Sequence, residues 1–352
     1  MVALENVPNQ RRSAVSARAD RGAPGHPWVL NRQHIVRFGI GGGPFAGNWS
    51  ALREFVQMVE ELGFDSYWRP DHPVFGPDAW MTLAAVAAST NRLRLGTTVS
   101  CVFHRHPLML ARIVADLDRI SGGRAVLGLG AGNLEPEFRA LGIAYPRLRE
   151  RQAALVEALQ ILPPLLRGET VSFHGVHFQV DGVKLQPGTV QQPYVPVLVA
   201  GVGERITLRA VAEYADASNF IPSMVALVPA IERKYAMLRE HCVAISRPYD
   251  SVLRTYQFVP LLLADTAAAL AAKRDVVPPF LRAMDPQTKG GFIGTPEQAV
   301  ERLLTLVGAG CQYFILSVLD LETLRLVAER VVPAVLAEVG SAVQRVQPGG
   351  PR

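Results

Sequence analysis

Apolar positions along the chain follow two alternating rhythms. Short β-branched and aliphatic runs such as IVRFGI (35–40) stop at glycine, and longer stretches follow in which apolar residues fall three or four apart, as Leu52, Phe55, Val56, Val59 and Leu62 do. The runs FDSYWRP, LRLGTTVS and RAVLGLG repeat the first rhythm, and WMTLAAVAAS and PLMLARIVADLDRI repeat the second, the latter opened by Pro107 at a first helical position. A long helix from about 147 to 166 comes next, followed by VSFHGVHFQVDGVKL, whose alternation predicts a hairpin inserted between units. VPVLVA, ASNFIP, VLRTYQFVPLLL and CQYFILSV complete eight strands, each with a helical partner. A (β/α)8 barrel and an open doubly wound sheet share this alternation. The barrel reading gathers the segments after the strands on one face: GIGGGPFAGN, PDHPVFGPD, SCVFHRHP, GAGNLEPE, GVGER and SNFIPS.

Composition narrows the class. Hydrophobic residues are 49% and charged residues 19% of 352, without low-complexity tracts, as in a packed, enzyme-like body. Residues 1–32 lack apolar periodicity and read as a flexible tail, residues 33–338 as one domain, and residues 339–352 as a second flexible tail. In the first tail Arg11, Arg12, Arg18, Arg21 and Arg32 outweigh Glu5 and Asp20, so most of the formal net charge of +5 lies outside the body. That distribution predicts neither a nucleic-acid nor a membrane partner. No apolar segment follows Arg11-Arg12 to make an export signal, and the expected location is cytoplasmic. Cys101, Cys242 and Cys311 are far apart, without the CxxC spacing of a zinc or redox site.

Three glycine-rich turns raise the question of phosphate. A dinucleotide fingerprint needs a third small residue, where the run Gly201-Val202-Gly203-Glu204-Arg205-Ile206 has Ile206. GIGGGP has Pro44 and GLGAGN has Asn133 at the corresponding place. An anion site at Gly201 to Arg205 needs no such packing, because glycines admit a ligand to backbone N–H groups at a helix start and Arg205 adds a cation. The alternative for Arg205 is solvent, or a pair with Glu204 or Glu213. His72 follows Asp71 in RPDHP, where an imidazole oriented by a neighbouring carboxylate suits proton transfer as well as a structural role. His104-Arg105-His106 suggests metal, yet beyond His177 only His241 remains to complete a ligand set, and no metal site is expected. His174 and His177 fall in the hairpin. No GxSxG elbow or Walker loop supports hydrolysis.

Together, PDH after the second strand, LGTTVS at the third, HPLMLARIVADLDRISGGRAVLGLGAG across the fourth unit, VPVLVAGVGERITLRAVAEYADASNF and GTPEQAVERLLTLVGAGCQYFIL resemble the bacterial-luciferase-like flavin oxidoreductases, from about Phe38 to Val331. SGGR and YADASNF are most similar to members using the deazaflavin coenzyme F420. The resemblance implies a (β/α)8 TIM barrel with an insertion, a homodimer, and a flavin-type ring at the C-terminal mouth beside Asp71 and His72, with His72 in proton transfer. It implies a non-prolyl cis peptide between Thr98 and Val99 behind the ring. Gly130, Ala131, Gly132 and Asn133 would border the cofactor, and Ala200, Gly201, Val202, Gly203 and Arg205 would hold its phosphate end. Many deazaflavin-dependent relatives have Glu or Trp where this chain has Asn133, with Glu135 and Glu137 slightly later.

The reaction implied is hydride transfer between F420 and a small organic substrate. FMN in its place implies a monooxygenase, and a catalytically silent flavin-binding homologue is the third reading. Phe45, Trp49, Phe75, Trp80 and Phe103 are candidates for an apolar pocket or for core. The variable segment 264–291, after the seventh strand, reads as a lid or a connector.

Overall fold

A computed structural model describes residues 25–30, 36–43, 48–276 and 291–346. Twelve strands are described: β1 Arg37–Gly42, β2 Ser66–Arg69, β3 Arg94–Thr97, β4 Ser100–Cys101, β5 Ala125–Gly130, β6 Val171–His174, β7 Gln179–Val183, β8 Val197–Ala200, β9 Ala217–Phe220, β10 Leu253–Leu263, β11 Phe292–Gly294 and β12 Tyr313–Val318. Parallel pairing runs in the order β10, β12, β1, β2, β3, β5, β8, β9, and β9 then pairs with β10, which closes the barrel. Closure rules out the open doubly wound sheet. β4 continues the third strand beside β5, β11 adds to β10, and β6 with β7 form the predicted antiparallel hairpin outside the barrel.

Helices lie between the strands and bury their apolar stripes against the barrel's outer side. Leu52, Phe55, Val56 and Val59 of helix Trp49–Glu61 are buried, in the spacing that the sequence displays. Helix Pro107–Ser121 begins at the predicted proline, and its N-terminus is capped by His106, whose Nδ1 accepts from Leu108 N–H at 3.2 Å. A separate, smaller cluster fills the barrel's interior: Trp68, Val126, Leu198, Leu253, Tyr313 and Ile315, with Val99 packed on it.

Both boundaries of the body differ from expectation. Residues 25–30, assigned above to the flexible tail, include the short helix Pro27–Leu30, and Trp28 is 1% exposed inside the interior cluster. Four helical residues are too few to display a period, so burial is what orders them. Residues 1–24 and 31–35 lie outside the described residues. At the other end, helix Val332–Val346 runs past residue 338, because Val335 and Val339 prolong its buried stripe by one more turn.

Candidate active site

The C-terminal ends of the parallel strands meet at one mouth of the barrel. After β2 the chain places Asp71 and His72 side by side in sequence but in different surroundings. Asp71 is buried, and its Oδ2 accepts from Ser100 Oγ and from Arg105 Nη1, both at 2.6 Å. The other arm of Arg105 binds Asp78, which caps helix Ala79–Ala87 by accepting from Met81 N–H. Trp80 Nε1 donates to the same Ser100 hydroxyl at 3.1 Å. Asp71 thus ties β2, β4 and two helix starts together.

His72 does not take its orientation from Asp71. Its Nδ1 lies 2.9 Å from Oε2 of Glu137, a buried residue of the short helix Glu135–Ala140. Adjacent side chains in a non-helical segment diverge, so sequence neighbours here acquire different partners, and the expected Asp71–His72 pairing is replaced by His72–Glu137. His104 Nε2 stands 3.9 Å from the same oxygen, with its side chain 3% exposed. Neither ring nitrogen of His104 has a hydrogen-bond partner among the described residues, nor do Oε1 of Glu137 and Oδ1 of Asp71. Burial lowers the His104 pKa below its usual value, against the attraction of Asp71 and Glu137. The same burial raises the Cys101 thiol to about 11.

Between β3 and β4 the Thr98–Val99 peptide is cis, as the resemblance implies. Thr98 Oγ1 accepts from Gln257 Nε2 at 3.2 Å, Gln257 Oε1 accepts from Asn219 Nδ2 at 3.3 Å, and Asn219 Oδ1 accepts from Thr255 Oγ1 at 2.7 Å. Gln257 Nε2 is also 3.4 Å from Ser317 Oγ. A polar layer from β9, β10, β12 and the segment after β3 therefore lies above the apolar interior. A Cβ on Gly130 would meet Val99 Cγ2 at 2.6 Å, so the absence of a side chain there lets β5 close on the cis peptide.

The loop after β5 is fixed by helix Leu148–Leu166. The Arg151 guanidinium donates to the Gly132 carbonyl and stacks over the Tyr145 ring, 4.4 Å from its centroid, while Tyr145 Oη donates to the Asn133 carbonyl at 3.3 Å. Asn133 is exposed and Ala131 half-buried. After β8, Gly201 adopts φ +134°, a region that L side chains rarely enter, and its N–H donates to Asn219 O at 3.2 Å. Val202 and Gly203 continue the turn, with Ala200 ending the strand. Glu204 anchors the turn to helix Val228–Ala244: its carboxylate binds Arg233 and Lys234, and its carbonyl accepts from His241 Nε2 at 2.7 Å. Glu213 is paired with Arg209. With both carboxylates taken, Arg205 is exposed at the turn and does not form the pair weighed for it in the sequence.

Other candidates disperse. Trp80 is buried core, Trp49 and Phe75 are exposed, and Phe103 packs 5.5 Å from Phe138. Phe45 and residues 277–290, half of the segment proposed as a lid, lie outside the described residues. Among the described residues, no helix is long and apolar enough to cross a membrane. Sequence reading weighed His104 only as a metal ligand and set it aside, passed over Gln257, and gave Glu137 no partner; nothing in their spacing announces the contacts.

Buried polar atoms normally find partners. Here carboxylate and imidazole atoms without partners among the described residues collect at the mouth, with amides and hydroxyls above an apolar floor and an exposed cation at the β8 turn. This donor set fits a flat heteroaromatic group with polar edges and an anionic end.

The luciferase-like monooxygenase family model matches residues 31–292. The F420-dependent glucose-6-phosphate dehydrogenase of Kineococcus radiotolerans is 35% identical over 164 residues, covering 44% of this chain and 48% of that protein. The F420-dependent hydroxymycolic acid dehydrogenase of Mycobacterium tuberculosis is 36% identical over 156 residues, 42% of each. The chain thus spans about half the length of the curated relatives it matches. The coenzyme F420-dependent tetrahydromethanopterin reductase of Methanopyrus kandleri shares the fold, with a TM-score of 0.69 at 19% identity over 85% of this chain and 99% of that one. The closed barrel, the inserted hairpin and a family match over most of its length agree: the chain belongs to the luciferase-like monooxygenase family.

Proposed function

We propose that this protein is an F420-dependent oxidoreductase acting on a small organic substrate. The observation that carries the reading is the half-exposed imidazole of His72 at the barrel mouth, held at Nδ1 by a buried carboxylate and open at Nε2. Such a group is placed to exchange a proton with a substrate, while redox chemistry needs a cofactor that no side chain replaces. The curated relatives above are named for F420. When bound, the deazaflavin would supply a carbon that accepts or donates hydride.

The chain's own residues would do the rest. Val99 and the Gln257 amide would present an apolar face and a hydrogen-bonding edge to the ring, Gly130 to Asn133 would border it, and Ala200 to Gly203 with Arg205 would receive the anionic end. Asp71 would not touch the reacting atoms; its ties to Ser100 and Arg105 keep the segment carrying His72 in place. Titration of the purified protein with F420 and with FMN tests the assignment. Tighter binding of F420, and its reduction or oxidation with substrate under anaerobic conditions, is the expected result. Tight FMN binding with oxygen consumption would replace the proposal with a monooxygenase.

A further inference from the structure

Glu137 is an unusual carboxylate for this protein. The buried carboxylates away from the mouth, Asp118 and Asp216, are held by several donors each, and Asp71 at the mouth is held by two. Asp118 accepts from Val190 N–H, Gln191 N–H and Gln191 Nε2 at 2.7, 2.8 and 3.1 Å, and Asp216 accepts from Tyr194 Oη and Val197 N–H, both at 2.9 Å. Those bonds join distant segments and serve the fold. Among the described residues Glu137 accepts from one group, His72 Nδ1 at 2.9 Å, and its Oε1 has no partner. Burying a carboxylate with so few donors is costly. A purely structural role does not account for placing it there.

The remaining neighbours do not relieve it. Arg105, the nearby guanidinium, is engaged by Asp71 and Asp78. His104, 3.9 Å away, is held neutral by burial, and the Cys101 thiol stays protonated. Asp71 adds a further negative charge to the same cluster. An ionised carboxylate only accepts hydrogen bonds, so the bond to Glu137 requires a proton on His72 Nδ1. The ring's other nitrogen, Nε2, has no partner among the described residues, and the side chain is 38% exposed while its carboxylate partner is 3% exposed.

We propose that Glu137 is a positioning residue that locks His72 in its Nδ1–H tautomer and makes Nε2 the atom that exchanges a proton with substrate at the mouth. The idea rests on the proposed function for its purpose but not for its geometry. As a substrate X–H bond breaks, its electron pair stays on X, the Nε2 lone pair forms the new N–H bond, and the imidazolium charge faces Glu137. The exposed edge of the ring returns the proton to water or to substrate.

Ring 15N spectra of histidine-labelled, cofactor-free protein test the tautomer, with His72→Ala assigning the signal. Wild-type His72 should be Nδ1–H when neutral, and Glu137→Gln should convert it wholly or partly to Nε2–H, because an amide can donate as well as accept. With F420 and substrate, Glu137→Gln should lower kcat by about 10- to 100-fold, shift the pH profile and leave KM and cofactor affinity nearly unchanged, and Glu137→Asp should recover part of the loss. A wild-type Nε2–H tautomer overturns the proposal without any variant, so a misfolded Glu137→Gln would not shield it. Unchanged ring signals in a folded Glu137→Gln, even with lost turnover, overturn it as well. The expected tautomer change in a protein that never turns over F420 supports the positioning role and removes the functional reading instead.

Discussion

The two ends of the barrel treat buried polar groups in opposite ways. At the N-terminal end, Trp28 closes the interior against Trp68 and Tyr313, with ring centroids 6.2 and 5.8 Å away. The described polar groups beside it are engaged: His26 Nδ1 accepts from Trp28 N–H at 3.0 Å and its Nε2 lies 2.9 Å from Tyr194 O, Arg37 donates to Trp28 O at 2.6 Å, and Asp65 accepts from Tyr313 Oη at 2.6 Å. At the C-terminal end, His104, Glu137 and Asp71 keep buried atoms without partners among the described residues. A plug that saturates its own groups favours folding, whereas a mouth that leaves them open is organised for something that arrives later. The comparison separates residues that hold the barrel from residues that use it.

The sharpest way to break this division is to remove the plug. Trp28→Ala should cost about 3–5 kcal/mol of stability, read from the denaturant midpoint, with turnover per folded molecule unchanged. A loss of activity without a loss of stability would place Trp28 with the functional residues and erase the contrast. Next in size, His72→Ala should lower turnover about 100-fold, and because it strips the buried Glu137 carboxylate of its donor it should cost about 1–3 kcal/mol of stability, less than Trp28→Ala. Unchanged turnover in the folded variant would leave the mouth without its proton-exchanging group.

The smallest effect concerns pH and probes both ends together. His26 and His104 both titrate below their usual 6.5 in the folded protein, in each case chiefly because burial disfavours the charged ring. The unfolded chain then binds more protons than the folded one just below 6.5. Stability should therefore be complete above that value and fall as pH drops through the lowered folded pKa values. Urea unfolding across about pH 5 to 7 should show this slope, reduced in His104→Gln and in His26→Gln separately. A flat wild-type profile would mean that neither histidine is held neutral by the fold.

Periodicity made much of the architecture legible. Pro107 marks a helix start, the alternation around residues 171–183 marks the hairpin, and the strand pattern agrees with the barrel. The cis peptide at Thr98–Val99 was readable through the family resemblance and not through any local propensity. Adjacency misled at Asp71-His72, since two neighbours in sequence serve different partners. Trp28 was hidden in a segment whose basic, period-free composition outweighed one aromatic residue. Glu137 stood in plain view in GNLEPEF, but only folding brings it to an imidazole 65 positions away.

What the sequence determined by itself was local: which residues repeat at helical or strand spacing, where glycine and proline interrupt them, and which side chains have proton-transfer chemistry to offer. These properties depend on neighbours within a few residues, and they survive in the unfolded chain as propensities. Tertiary structure alone decided that the sheet closes, that Trp28 seals one end, and that Glu137 rather than Asp71 holds His72. Each of those outcomes depends on burial and on distances between residues far apart in the chain, quantities that come into existence only when the barrel packs.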